Sequence, residues 1–164
     1  YKLEEYVSRF HYFFEICGNL SFAKQMTQNY ALDLDLAKDL ISKFQLQDII
    51  NAAYFHGDIG QNKKTLDARA ASEQALVLED KSTAKDELQK LGAIYREKFG
   101  LKFLISAKDK SAHEILSQLK ERSLNSIDRE LENARTALWE ISKNRLLEHP
   151  LDQILEKTKS LQKR

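Results

Sequence analysis

Leu91-Gly92-Ala93-Ile94-Tyr95-Arg96-Glu97-Lys98-Phe99-Gly100-Leu101-Lys102-Phe103-Leu104-Ile105-Ser106-Ala107-Lys108-Asp109-Lys110-Ser111 reads as a helix, a stop, an extended stretch, a turn and the start of another helix. Leu88, Leu91, Ile94, Tyr95 and Phe99 recur at helical steps, and Gly100 closes that helix. The segment near 102–107 is short, apolar and bounded by a glycine and by the polar turn Lys108-Asp109-Lys110, so it is expected to be extended. An extended segment in an otherwise helical chain carries backbone donors and acceptors that need partners. A bound ligand and the neighbouring helices are the two candidates.

Working outward, Ser111 is placed to cap a helix through Arg122, with Glu114 completing a capping box and Ile115, Leu116 and Leu119 inward. Ser126 caps the longest helix, which runs to about Leu147 and is ended by Pro150. An amphipathic helix from Leu151 to about Leu161 comes last. Upstream, Leu3, Tyr6, Val7, Phe10, Phe13, Phe14 and Cys17 make one helical stripe, stopped by Gly18-Asn19. Ser21 is the candidate cap of a second helix, and a third spans about Asp35 to Phe44. A fourth carries Leu46, Ile49, Ile50, Ala53 and Tyr54 and ends at His56-Gly57. Gln61 to Lys64 reads as loop, Leu66 to Leu78 as a fifth helix, and Glu79 to Ser82 as a charged linker, with Ser82 or Thr83 capping the helix that ends at Phe99. The expectation is an all-α, single compact domain over residues 1–164, of about eight helices with one short extended segment.

Composition agrees with this outline. Hydrophobic residues make up 42% of the 164 and charged residues 31%, as in a globular chain. One proline and five glycines favour long helices over a many-turned β fold. With 26 basic and 25 acidic residues the net charge is +1, which argues against a nucleic-acid surface. No apolar run has the length of a membrane span and no signal-peptide pattern opens the chain, so a cytoplasmic protein with no membrane partner is expected. The single cysteine, Cys17, excludes an internal disulfide.

Several chemistries can be set aside. There is no CxxC or HExxH pattern, the four histidines are scattered, and no glycine-rich phosphate loop is present. No metal or cofactor is therefore expected. What remains is acid–base work by a histidine and a carboxylate, with an arginine for an anionic ligand. His56 stands at a helix exit and Glu73 near the apolar face of the next helix. Each also has a plainer reading. His56 can be a solvated C-terminal cap favoured by the helix dipole, and Glu73 can be the partner of Arg69 one turn away.

The block Leu91 to Ser111, continued by Glu114-Ile115-Leu116, resembles the OHCU decarboxylase family, whose pattern there is close to LNxxYxxKFGFPFIICxxGKSxxEIL. OHCU is 2-oxo-4-hydroxy-4-carboxy-5-ureidoimidazoline. Gly18-Asn19 looks like the family's opening turn, His56-Gly57 its His-Pro motif and Ser72-Glu73-Gln74 the end of its SxxEQ motif. Arg122 with Asn125, and Glu140-Ile141-Ser142-Lys143, resemble two further short motifs. The resemblance spans roughly residues 10–148. It implies a helical, often dimeric fold and the cofactor-free conversion of OHCU, an anionic small molecule, to (S)-allantoin in urate breakdown. By position it makes His56 the catalytic acid/base and Glu73 the carboxylate that binds substrate or orients the histidine. Gly57, Ala70, Gln74, Phe103, Leu104, Ile105, Ser106, Ala107 and Arg145 become substrate-binding, the backbone of 103–107 holding the polar edges of the ring. A carboxylate beside the imidazole is expected to raise its pKa.

The chain departs from the pattern at Gly57 (proline), Ala70 (serine), Gly92 (asparagine) and Asp109 (glycine). For the arginine on the last long helix, Arg145 is the nearest match and Glu148 aligns equally well. Two alternatives stand beside this reading, the first of them motivated by these departures. One is a family member with another small ureido or carboxylated ligand, or with no activity. The other is a helical interaction module, with an exposed apolar patch and His56 in open solvent.

Overall fold

A computed structural model describes residues 3–29, 32–57, 68–79 and 83–152. Among these the chain is all-α, with nine helices and no strand. They are α1 (Leu3–Cys17), α2 (Leu20–Gln28), α3 (Leu34–Ser42), α4 (Leu46–Phe55), α5 (Ala68–Glu73), α6 (Ala75–Glu79), α7 (Ala84–Phe99), α8 (Ala112–Arg122) and α9 (Ile127–Glu148). The 22-residue α9 is the spine; it packs against α1, α3 and α4, while α2 lies on α1 and α8 on α7. Its buried Ala134, Leu138 and Leu146 meet Phe13 and Ile16 of α1, Ile41 of α3 and Ile49 and Ala52 of α4 in one continuous core. Among the described residues, no helix is long and apolar enough to cross a membrane.

Most helix ends obey local chemistry. Ser111 and Ser126 each accept the N–H of the residue three further on. Gly100 closes α7 at φ +73°, a conformation that costs glycine nothing. Four expectations change. Asn19, not Ser21, caps α2, its Oδ1 accepting the Phe22 N–H at 2.9 Å. Asp33 caps α3, so that helix runs from 34 to 42 rather than 35 to 44. The fifth helix is split at Gln74 into α5 and α6. Thr83 precedes α7, but it is helical in backbone and its side chain makes no capping bond. Tyr30, residues 58–67, Asp80 to Ser82, the side chain of Arg69 and the tail beyond Asp152 lie outside what is described.

Gly18 places the first half of the site. At φ +76° it ends α1, and a Cβ there would stand 2.4 Å from Cβ of Phe55. Only glycine lets the end of α4 sit so closely on the end of α1, where Phe14 and Phe55 meet edge to face at 5.2 Å. Asn19 reaches on to Asp48 at 3.4 Å, and Asp48 accepts the Gln45 N–H that opens α4.

A buried polar cluster places the second half. Glu130 of α9 is fully buried and accepts from Tyr95 (2.5 Å), Arg122 Nε (2.9 Å), Asn125 (2.9 Å) and Asn133 (2.7 Å). Burial pushes the Glu130 carboxyl up, but these donors and the Arg122 charge outweigh it, and its pKa is lowered. Arg122 Nη1 donates in turn to the Leu104 carbonyl at 2.7 Å, and its guanidinium lies over the Phe103 ring. Residues 102–107 accordingly form neither helix nor strand. Their carbonyls are held by Arg122 at Leu104, by the Lys110 ammonium at Ser106 and by the Lys110 N–H at Ala107. One neighbouring helix and the turn that follows thus satisfy part of the segment. Asp109 turns the chain at φ +58°, at the position where the family pattern has glycine.

Candidate active site

The two halves face each other across a cleft of about 530 Å³, its open mouth included. Its walls are the end of α4 (His56, Gly57), α5 and the residue after it (Ala70, Glu73, Gln74), the segment Phe103 to Lys108 and one face of α9 (Ile141, Asn144, Arg145, Glu148). All the residues expected to bind or react therefore border one space.

His56 is buried, with 7% of its surface exposed. This overturns the solvated-cap expectation and, with it, the interaction-module alternative that needed His56 in open solvent. Its ring hydrogen-bonds the Cys17 backbone. Among the described residues Nε2 has no hydrogen-bond partner, so that bond is made by Nδ1. The Cys17 carbonyl can only accept, which puts the proton on Nδ1 and the lone pair on Nε2.

The pKa of His56 is pulled down to about 3, first by burial and then by the Arg145 charge, with Lys102 adding to it and the Cys17 bond opposing. This reverses the expected direction. The carboxylate that was to raise it, Glu73, is engaged elsewhere. Arg145 grips Glu73 with two parallel bonds, Nη2 to Oε1 at 2.7 Å and Nε to Oε2 at 2.9 Å, and its Nη1 donates to the Glu15 carbonyl at 3.0 Å. Such a fork-to-fork pair fixes both groups and compensates both charges. Glu73 is thus bonded to Arg145, whatever the Arg69 side chain does. Arg145 is also the α9 residue that reaches the pair; Glu148 lies a turn nearer the mouth, ion-paired with Lys108.

The free thiol of Cys17 is buried and pushed up to about 12 by that burial, so it is inert. Among the described residues no cluster of three His, Cys, Asp or Glu side chains is placed to hold a metal ion. None of the described residues accepts a hydrogen bond from the N–H groups of Phe103 to Ala107. The cleft thus combines a neutral imidazole whose Nε2 has no partner among the described residues, a fixed ion pair and the segment Phe103 to Lys108 along one wall.

A family model described as OHCU decarboxylase matches residues 4–147. The chain belongs to the OHCU decarboxylase family. A crystal structure of an OHCU decarboxylase in the presence of (S)-allantoin superposes with a TM-score of 0.71 at 29% identity, covering 83% of this chain and 94% of the other. The uric acid degradation bifunctional protein TTL of Arabidopsis thaliana is 30% identical over 141 residues, 79% of this chain and 44% of that protein. The 2-oxo-4-hydroxy-4-carboxy-5-ureidoimidazoline decarboxylase of Haloferax volcanii is 30% identical over 94 residues, 57% of this chain and 56% of that one. The matched stretch thus spans about half the length of these two curated relatives.

Against the family pattern, Ala70 lines the cleft wall without a hydroxyl, and Gly92 has open space where a side chain would stand. Sequence alone did not assign Lys108, Ile141 or Asn144 to the site, and they also border the cleft. For α9 the signal was present: 141, 144, 145 and 148 are spaced to share one helical face. For Lys108 there was none, because a lysine in a polar turn has the pattern of any surface loop.

Proposed function

We propose that this OHCU decarboxylase family member converts OHCU to (S)-allantoin and CO2, using His56 as the proton carrier and no cofactor. The observation that carries this is the buried Nε2 of a neutral His56, without a partner among the described residues, in the same cleft as the Arg145–Glu73 pair. A neutral imidazole is a base, so the hydroxyl on the carboxylated carbon donates its proton to Nε2. The carbon–carboxylate bond breaks, CO2 leaves, and its electron pair passes into the ring toward the adjacent C=N nitrogen. One solvent proton neutralises that nitrogen. The imidazolium then returns its proton to the ureido-bearing carbon as the deprotonated oxygen becomes a carbonyl. Because Nδ1 is tied to the backbone, that proton arrives on one face only, which accounts for a single enantiomer. Backbone N–H groups of 103–107 stabilise the negative charge on the ring during the step, as preorganised donors do.

The Arg145–Glu73 pair presents both a donor and an acceptor edge to a ureido group. Ala70 gives a specific reason to keep a second ligand in view, since the family pattern has a hydroxyl there. A related ureide lacking the matching acceptor would lose nothing by its absence.

The test is to supply freshly generated OHCU and follow optically active (S)-allantoin by circular dichroism, for the intact protein and for His56→Ala. The intact protein should outpace the spontaneous, racemic background and His56→Ala should not. A background rate from both would end the decarboxylase assignment for this chain.

A further inference from the structure

The cleft holds two ion pairs of different character. Arg145–Glu73 is buried deep in it, with side-chain exposures of 3% and 20%, and is tied at three points. Lys108–Glu148 spans the mouth, from the turn after residues 102–107 to the last turn of α9, and both side chains are over 40% exposed. A buried pair is expensive to separate, because each charge is left without water. An exposed pair contributes little and exchanges partners readily. An incoming carboxylate must find a cation whose present partner can be given up. Arg145 does not meet that condition and Lys108 does. Lys108 itself lines the cleft that holds the Arg145–Glu73 pair. Its four-carbon stem lets it follow a ligand inward.

We propose that Lys108 is the residue that selects for a carboxylate on the ligand, releasing Glu148 and pairing with the incoming group. The proposal rests on the decarboxylase reading for the nature of that group. Glu148 is then a competitor for the same ammonium and sets how strongly the anion is held. The neutral ring and ureido parts are left to the deeper groups.

The two residues can be told apart from a structural clasp by the sign of their effects. If they only bridge the mouth, removing either loosens it in the same direction. If Lys108 selects the anion, Lys108→Met weakens carboxylate binding and Glu148→Gln strengthens it. Titration calorimetry of intact protein with hydantoin-5-acetate and its neutral amide measures this without needing turnover. The intact protein should prefer the acid. Lys108→Met should lose roughly tenfold for the acid and under twofold for the amide, the scale of one charge-assisted hydrogen bond. Glu148→Gln should widen the preference. No preference in the intact protein, no acid binding, or the same shift in both variants overturns the proposal. A preserved preference in a protein that does not turn over OHCU would overturn the decarboxylase reading and leave the role of Lys108 standing.

Discussion

Two of the arginine–glutamate pairs among the described residues have both partners largely buried, and they are put to opposite uses. Arg122–Glu130 lies behind the wall of the cleft, and Glu130 is saturated by four donors, with no surface exposed. Arg145–Glu73 lies inside the cleft, and Glu73 has Arg145 as its bidentate partner and keeps a fifth of its side chain exposed. The first has its capacity for hydrogen bonds absorbed by the fold. The second is rigid but addressable. A buried ion pair thus says little about function by itself; what its remaining lone pairs face is what decides.

The isosteric change to glutamine gives the sharpest break of that comparison. Glu73→Gln should cut OHCU turnover by roughly 100-fold, the scale of losing one preorganised electrostatic partner, and cost roughly 3 kcal/mol of stability because the buried Arg145 loses its counter-charge. Glu130→Gln should cost a similar amount, roughly 3 kcal/mol, by the same loss at Arg122, but leave turnover of the folded fraction within a few-fold. Urea midpoints and initial rates on both variants check this, and equal losses of turnover would erase the distinction between the pairs.

Acid titration separates them by a different route. His56 has its pKa lowered from its ordinary 6.5 to about 3, so the unfolded chain binds the proton that the folded one refuses. Its contribution to stability is whole above pH 6.5 and drains away as the pH falls toward 3. Glu130, also lowered, adds its own loss only below the ordinary carboxylate range. Stability measured from pH 7 to 4.5 should therefore fall in the intact protein and stay flatter in His56→Gln; parallel curves would mean that His56 is not held neutral.

Two smaller effects refine the picture. Tyr95→Phe removes one of four donors to Glu130 and should cost about 1 kcal/mol with little change in turnover. Asp109→Gly, in the turn that leads out of the wall between the two pairs, relieves a left-handed backbone and should leave stability unchanged or raise it by about 0.5 kcal/mol. Thermal midpoints resolve both. A destabilised Asp109→Gly would show that its side chain has taken on a contact of its own.

The legible parts of the sequence are the local ones. Ser111, Ser126, Gly100 and the three- and four-residue steps of α1, α7, α8 and α9 carry their instructions within a few residues, so the helical outline was legible. The interruption of helix over 102–107 was legible for the same reason. The gathering of His56, Glu73, Gln74 and 103–107 at one cleft was suggested by the family resemblance, since no periodicity links segments that far apart. The Arg145–Glu73 pair joins residues 72 positions apart, and either could equally have served a neighbour on its own helix. The direction of the His56 shift was misread because it depends on burial and on which charge Glu73 is already bound to, and neither is written locally. The break at Gln74 was missed because the apolar pattern continues straight through it.

The contact between Gly18 and Phe55 has a consequence for anyone wishing to move this chemistry to another scaffold. The histidine's tautomer is dictated by a carbonyl on one helix, while its ring is carried by another. Grafting the segment around His56 alone would transplant an imidazole free to take either tautomer and to be protonated in neutral water. The smallest portable unit is two-piece: the Cys17-Gly18 corner and the Phe55-His56 exit, held at a separation that only a residue without a side chain permits.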